Sequence, residues 1–315
     1  MATKFNPYFM TPNFYKALLL CFFFGSFYTT YGQVNNHKAD SLKATTDTDD
    51  TPKKSSFKIS VDYLSNDVFM GRTDTTKTPL ITPGIKYTFK SGIFFSGTLD
   101  YLPNRKTSKL DGGNFAAGYD FDITDDLSGG VSFTKLFFSK TSTQVSSAIN
   151  STLNGNLDYN IADIVTVSVS LDYNINKQGV NNDFVFNPGL SHDFTAESVF
   201  GNKDILLISP MVTLNTGTQN FYDGYLVRKN LKNAKRNAAE TKLFDSYTID
   251  LSEFTLLDYE FSMPIEYKSG PFIFHVTPTY AIAENQFQSA AVQKLLGLSG
   301  KPSVFYIEVG VALKF

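Results

Sequence analysis

The side chains able to carry chemistry are few. The chain has three histidines, His37, His192 and His275, and one cysteine, Cys21. Nucleophilic catalysis needs a Ser, Cys or Thr beside a base that a third group orients. Ser191-His192-Asp193 holds the right residue types in a row. On an extended strand, however, neighbours point to opposite faces and do not form a triad together. His37 lies in a polar stretch. His275 shares its face with Thr277 and Thr279, where a lone histidine reads as a hydrogen-bonded filler of a polar wall. Cys21 sits inside the apolar amino-terminal segment, so the rest of the chain has no thiol for a disulfide, a nucleophile or a thiolate metal site.

Carboxylates are more plentiful. Asp120 and Asp122 share one strand face, and Asp258, Glu260 and Glu266 share another. Such oxygens suit calcium when carbonyl-rich loops complete the shell. Loops of that kind are not recognisable, and the plainer reading is a solvated polar wall. No catalytic residue, cofactor or metal set is assigned from these positions.

What positions these residues is a repeated alternation of apolar and polar side chains. A period of two places successive side chains on opposite faces of a strand. The clearest runs are Val165, Val167, Val169, Leu171, Tyr173 and Ile175 against Thr166, Ser168, Ser170, Asp172 and Asn174, and the last stretch, 303–315. Similar segments cover 57–63, 81–89, 93–101, 115–123, 127–138 (less regular) and 145–159, the last with Val145 and Ile149 on its apolar face. Others centre on Phe186 and on 210–214, 259–265 and 274–282. The sum is about twelve segments, each near the length of a tilted membrane strand. In the last stretch Phe305, Ile307, Val309, Val311, Leu313 and Phe315 fall on one face, and Tyr306, Glu308, Gly310, Ala312 and Lys314 on the other. This ending on an aromatic carboxy-terminal residue resembles the assembly signal of Gram-negative outer-membrane β-barrel proteins. The resemblance is architectural and transfers no catalytic or binding residue. It implies an all-β transmembrane antiparallel barrel over 57–315, placed in the outer membrane. It also implies contact with the barrel-assembly machinery through the strand that ends in Phe315.

Composition agrees with that class. Only 18% of residues are charged and 15% are aromatic, with 30 Phe and 17 Tyr and no Trp. No apolar run beyond the amino terminus is long enough for a membrane helix. A barrel escapes that test because its lipid-facing and lumen-facing residues alternate. The polar face is Ser, Thr, Asn and Gly rather than the Lys and Glu of a soluble sandwich. A net charge of -2 disfavours nucleic acid as a partner. Residues 1–32 read as a cleaved signal peptide, with Lys4 and Lys16 before an apolar core and Thr30-Tyr31-Gly32 before the cut. Residues 33–56 have too little apolar content to fold and read as a disordered periplasmic leader.

Connections alternate in length, as they should when both termini are periplasmic. Short turns fall at 90–92, 124–126, 161–163 and 268–270; long outer loops fall at 65–78, 218–250 and 284–302. The exception is 193–203, long for an inner turn. Prolines at 83, 188, 210, 264 and 278 interrupt strands and call for bulges or strand ends.

By parity the lumen face carries the acids Asp62, Asp100, Asp120, Asp122, Asp158, Asp172, Asp258, Glu260, Glu266 and Glu308, together with His275 and Tyr306. The opposing bases are Lys58, Lys86, Lys268 and Lys314. Such an excess of acid favours cations. The outer stretch 225–242 is basic, with Arg228, Lys229, Lys232, Lys235 and Arg236, and its Ala and Leu content suits a short helix. It reads either as a surface that meets lipopolysaccharide phosphates or as a constriction folded into the acidic lumen. A second short helix is expected at 289–296. The functional expectation is a pore for small polar or cationic solutes gated by the basic loop. The alternative is a non-conducting barrel that serves as accessory subunit, adhesin or assembly partner through a protein bound at its outer loops. A lipid-acting barrel enzyme is disfavoured by the histidine positions.

Overall fold

The structure is a computed structural model. It describes residues 54–228 apart from 75–76, 107 and 178–179, and in addition residue 238, 251–284 and 303–315. The expected signal peptide, most of the expected leader, the stretch 229–237 and the expected helix at 289–296 lie outside the described residues.

Seventeen strand segments follow in order. They are β1 (Ser56–Leu64), β2 (Val68–Phe69), β3 (Arg72–Thr73), β4 (Leu80–Thr88), β5 (Ile93–Tyr101), β6 (Leu110–Asp122), β7 (Leu127–Phe138), β8 (Ile149–Ile161), β9 (Val165–Asn176), β10 (Asp183–Ser191), β11 (Phe194–Glu197), β12 (Ile205–Ile208), β13 (Met211–Gly217), β14 (Thr255–Ser262), β15 (Ile265–Ser269), β16 (Phe272–Ala283) and β17 (Ser303–Lys314). A 3₁₀ turn covers Val145–Ala148, and a helix, α1, covers Asn220–Arg228.

Three pairs of segments, β10 with β11, β12 with β13 and β14 with β15, are single barrel strands broken by a kink. Counted so, and with β2 and β3 set aside, the barrel has twelve antiparallel strands. It closes where β1 meets β17, with Lys58 opposite Lys314 and Leu64 opposite Glu308. Phe57 and Phe315 exchange backbone hydrogen bonds of 3.0 and 2.9 Å at the same seam. Closure follows from the solvent: in hydrocarbon every backbone donor and acceptor must pair within the protein, and a closed ladder leaves no edge.

The alternation decides what each face meets. Outward residues such as Ile59, Val61, Phe115, Val131, Leu157, Leu171 and Val311 are exposed apolar side chains on all sides of the barrel. A belt of that extent on a closed barrel is a lipid-facing surface. Tyr87, Tyr119, Tyr159 and Tyr280 join it, and aromatic pairs such as Tyr87–Phe89 at 4.7 Å lie towards one rim, the position of an interfacial aromatic girdle. No described helix is long and apolar enough to cross a membrane; the strands cross it.

Connections divide the barrel into a short-turn end and a long-loop end. The long inner turn expected at 193–203 is corrected here. The strand continues through β11, and the turn proper is 198–204, closed by the Asp204 carboxylate. Asp204 accepts hydrogen bonds from the N–H groups of Phe200 and Gly201 and from the Tyr267 hydroxyl.

The expected single strand at 259–265 is likewise two segments. The breaks at 192–193, 209–210 and 263–264 lie side by side, since Ser191 pairs with Met211, Met211 with Ser262 and Ser262 with Thr279. Pro278 continues the row in β16. Carbonyls of these prolines still accept across the row, from His192 N–H at 3.2 Å, Ser209 N–H at 2.8 Å and Met263 N–H at 3.1 Å. Prolines 210, 264 and 278 therefore occupy one crease across adjacent strands, where a missing donor is least costly.

A plugged lumen above an acidic chamber

The site is built from the long-loop end inward. Residues 65–78, expected as an outer loop, turn into the lumen instead. Asn66, Asp67, Val68, Met70, Arg72 and Asp74 are all buried. The cause is a two-residue hairpin: Val68 pairs with Thr73 and Phe69 with Arg72, and Met70 and Gly71 connect them with φ of 50° and 68°. Two successive positive φ values are the mark of a type I′ turn. The tip presses against the wall; a Cβ on Gly71 would lie 2.9 Å from the Cβ atoms of Asp258 and Ala283.

Helix α1 and the 3₁₀ turn close over this hairpin. Met70, Val145, Ala148, Ile149, Val185, Phe221, Tyr222, Tyr225, Leu251 and Leu257 form one buried cluster, with Phe69 and Leu136 against it. Phe69 meets Phe221 edge-on at 4.9 Å. Val145 and Ile149, expected on the lipid face of a strand, are corrected to this core. The chain forms a 3₁₀ turn over Val145–Ala148, and the ladder slips between Ile149 and Ser151, which reverses their direction. A second buried cluster, Leu64, Val68, Leu80, Leu102, Ala281, Val304 and Tyr306, fills the space beside it.

Polar anchors hold the plug. Asp183, fully buried at the start of β10, faces the amino end of α1. Its carboxylate accepts from the N–H groups of Asn220 at 2.6 Å and Phe221 at 2.8 Å, from Thr218 Oγ1 at 2.7 Å and from Asn176 Nδ2 at 2.6 Å. An anion at a helix amino terminus satisfies donors that the helix leaves free. Arg72 donates to Gln219 and lies 5.0 Å from the Tyr222 ring centre, and Tyr225 Oη donates to Asp74 at 3.0 Å. Asp67 accepts from Val145 N–H at 3.2 Å. Burial, opposed by that hydrogen bond and assisted by Asp100, Asp111 and Asp74, pushes the Asp67 carboxyl up to about 7. Burial also raises the Tyr222 and Tyr225 hydroxyls. Asp111 ties together two neighbouring loops, 102–109 through Arg105 at 2.7 Å and 139–144 through Ser142 at 2.7 Å and Gln144 at 3.0 Å.

Below the plug is a chamber of about 370 Å³. Phe69, Met70, Leu136 and Ile149 line its plugged side. Its walls carry Asp62, Asp172, Asp193, Glu266 and Glu308 with Lys58, Lys86 and His275, among Ser, Thr and Asn side chains. Towards the short-turn end inward-facing groups become accessible: the Asp120 side chain, 3.8 Å from Lys86, is 50% exposed.

Of the acids singled out in the sequence, Asp62, Asp172, Glu266 and Glu308 line the chamber, as does His275. Asp172 accepts from Asn154 at 2.7 Å and Asn187 at 3.1 Å, and Glu266 pairs with Lys268 at 2.8 Å. Asp100 lies higher and accepts from Gln144 Nε2 at 3.3 Å. Glu260 stands beside Asp258 in the wall near the fully buried Tyr306. Arg228 ends α1, which starts at Asn220 rather than near 225. Lys229, Lys232, Lys235 and Arg236 lie outside the described residues. Ser191 and Asp193 face the chamber, whereas the His192 ring contacts the Ile164 carbonyl and packs edge-on at 4.2 Å against Phe194. The three do not converge.

One cluster escaped sequence reasoning. His275 Nε2 lies 3.3 Å from Asp62 Oδ1 and 3.4 Å from Glu308 Oε1. The residues come from β16, β1 and β17, distant in sequence and adjacent only through the seam. The hairpin was missed too, because its strands have two residues each and its turn lacks the Asn-Gly signature. Met70-Gly71 directly after the apolar pair Val68-Phe69 was the available signal.

No protein-family model and no curated protein matches the chain. Solved structures do. The chain is similar to the NanC porin, at 9% identity over 82% of this chain and 100% of that one, with a TM-score of 0.47. It is similar to the KdgM porin at 10% identity over 82% and 99%, with a TM-score of 0.45. It is also similar to LpxR from Salmonella typhimurium at 10% identity over 82% and 99%, with a TM-score of 0.42. At these identities the likeness extends no further than fold.

Proposed function

We propose that the protein is an outer-membrane barrel that takes small polar or cationic solutes into an acid-lined chamber and passes them only when its plug moves. On this reading the short-turn end faces the periplasm and the long loops face outwards, the usual arrangement of such barrels. The observation that carries it is the burial gradient along the lumen. Inward-facing groups at the long-loop end, such as Asp111, Asp183, Val185 and Leu257, are fully buried, while Asp120 at the other end is half exposed. Chamber carboxylates outnumber the lysines, which favours cations in a narrow polar passage. The gate proposed is the hairpin of β2 and β3 with α1 packed on it. On the same reading the basic stretch that begins at Arg228 meets lipopolysaccharide phosphates.

The second reading is a barrel that never conducts and serves a partner at its loops. The dense hydrogen bonding of the plug favours it. Planar-bilayer recording of the purified, refolded protein separates the two. The gated pore gives rare openings in the native chain and frequent cation-selective ones when 66–74 is replaced by a short Gly-Ser linker. Silence in both proteins overturns the pore and leaves the non-conducting reading.

A further inference from the structure

We propose that Asp62, His275 and Glu308 form a binding site for a divalent transition-metal ion of the zinc type, placed across the seam that closes the barrel. The inference is independent of whether the barrel conducts.

The donors are one imidazole nitrogen and two carboxylate oxygens, a set that suits zinc and its neighbours better than calcium or magnesium. The three donor atoms lie within 4.8 Å of one another. Bonds of 2.0–2.1 Å at tetrahedral angles place neighbouring donors roughly 3.3 Å apart. The histidine-to-carboxylate separations are 3.3 and 3.4 Å. Asp62 Oδ1 and His275 Nε2 are also buried without a hydrogen-bond partner among the described residues. They face each other across the seam, with Glu308 Oε1 on the other side of the imidazole nitrogen.

The backbone between them is shaped for this approach. Asp62, Gly310 and His275 form one row across β1, β17 and β16. Glu308 follows two residues along β17, on the same face. A Cβ on Gly310 would lie 2.1 Å from Asp62 Oδ1 and 2.6 Å from His275 Nε2. Only glycine at the centre of the row lets the two side chains lean together. Ser60 Oγ donates to Asp62 Oδ2 at 3.0 Å, which leaves Oδ1 for the ion; such outer contacts orient metal ligands. All three ligands line the chamber, so an ion can enter from the short-turn end, and a position remains for water or a solute oxygen.

The test uses the full chain in detergent with His37→Gln and His192→Gln, so that His275 is the remaining histidine. After chelator treatment the protein is dialysed against zinc chloride, and bound metal is measured by mass spectrometry. The expected result is one zinc per chain. Glu308→Gln and His275→Gln each weaken binding at least tenfold, and cobalt gives visible bands of a low-coordinate site that these variants lose. Zinc should also raise the temperature at which the folded gel band converts to the unfolded one, with no shift in Glu308→Gln. Should that variant fail to fold, Asp62→Asn carries the same expectation. Binding below one-tenth of an equivalent, or equal binding in the variants, overturns the site and leaves His275 as a bridge between two carboxylates.

Discussion

Asp183 satisfies five donors with two oxygens, and two of these are backbone N–H groups of α1. Charge-assisted hydrogen bonds in a buried setting are strong mainly because their loss strands the donors. Asp183→Ala is expected to weaken the plug by about 3 kcal/mol. The measurement is the opening frequency in a bilayer, which should rise while the gel migration of the folded barrel persists. Asp67 gives a pH dependence with a definite sign. Its carboxyl is raised from an ordinary value of about 3.9 in the unfolded chain to about 7 in the docked hairpin. The docked state therefore holds a proton that the undocked state releases. Docking is fully favoured below about pH 4, weakens as pH rises, and levels off above about pH 7. Openings should be more frequent at about pH 8 than at about pH 5, and Asp67→Asn should flatten the response.

At the scale of elements, the hairpin tip leaves no room for a side chain. A side chain on Gly71 meets Asp258 and Ala283 at 2.9 Å and must also adopt a positive φ. Gly71→Val should unseat the hairpin and reproduce the openings of the 66–74 replacement, whereas Gly270→Ala, also at positive φ but in open space, should not. Elements with clean alternation were legible in the sequence. β9 and β17 declare their faces residue by residue, since lipid on one side and a polar lumen on the other impose a period of two. The turn-in of 65–78 was not legible. Its strands are too short for a period, and its burial depends on α1, far along the chain. Val145 and Ile149 alternated like a strand yet belong to the core, because apolar spacing alone does not separate a lipid face from a plug. The Asp62–His275–Glu308 cluster was hidden for another reason. Each residue reads as an isolated polar group until the register of β1, β17 and β16 is known. Asp62 and Glu308 were placed on the lumen face by parity, but no spacing within one strand brings them to His275.

At the scale of the molecule, the apolar belt and the polar lumen make opposite demands on neighbouring residues. Val131 faces outwards and is exposed, while Ser132 faces inwards and is buried. Val131→Arg should destabilise the folded barrel by about 2–4 kcal/mol if it lies near mid-membrane. Urea titration in lipid vesicles would measure it, and an unchanged midpoint would argue against the belt as the lipid face. The crease through the breaks at 192–193, 209–210 and 263–264 makes one panel of the wall less regular than the rest. The panel beyond it continues below the ladder of β9 and ends on β11, which pairs on one side only.

The position of the hairpin also imposes a chronology. It follows β1 directly, and β1 finds its last neighbour only when β17 arrives from the opposite end of the chain. Once that junction zips, a folded segment has no side entrance to the interior. The hairpin must therefore already lie inside when the cylinder seals, or else thread through the wide rim afterwards against α1. Pairing between chain ends is entropically slow, so there is time for the first route. Refolding kinetics should then record burial of Tyr222 and Tyr225 no later than the appearance of the compact gel band. A protein that sealed first and filled later would show the reverse sequence of events.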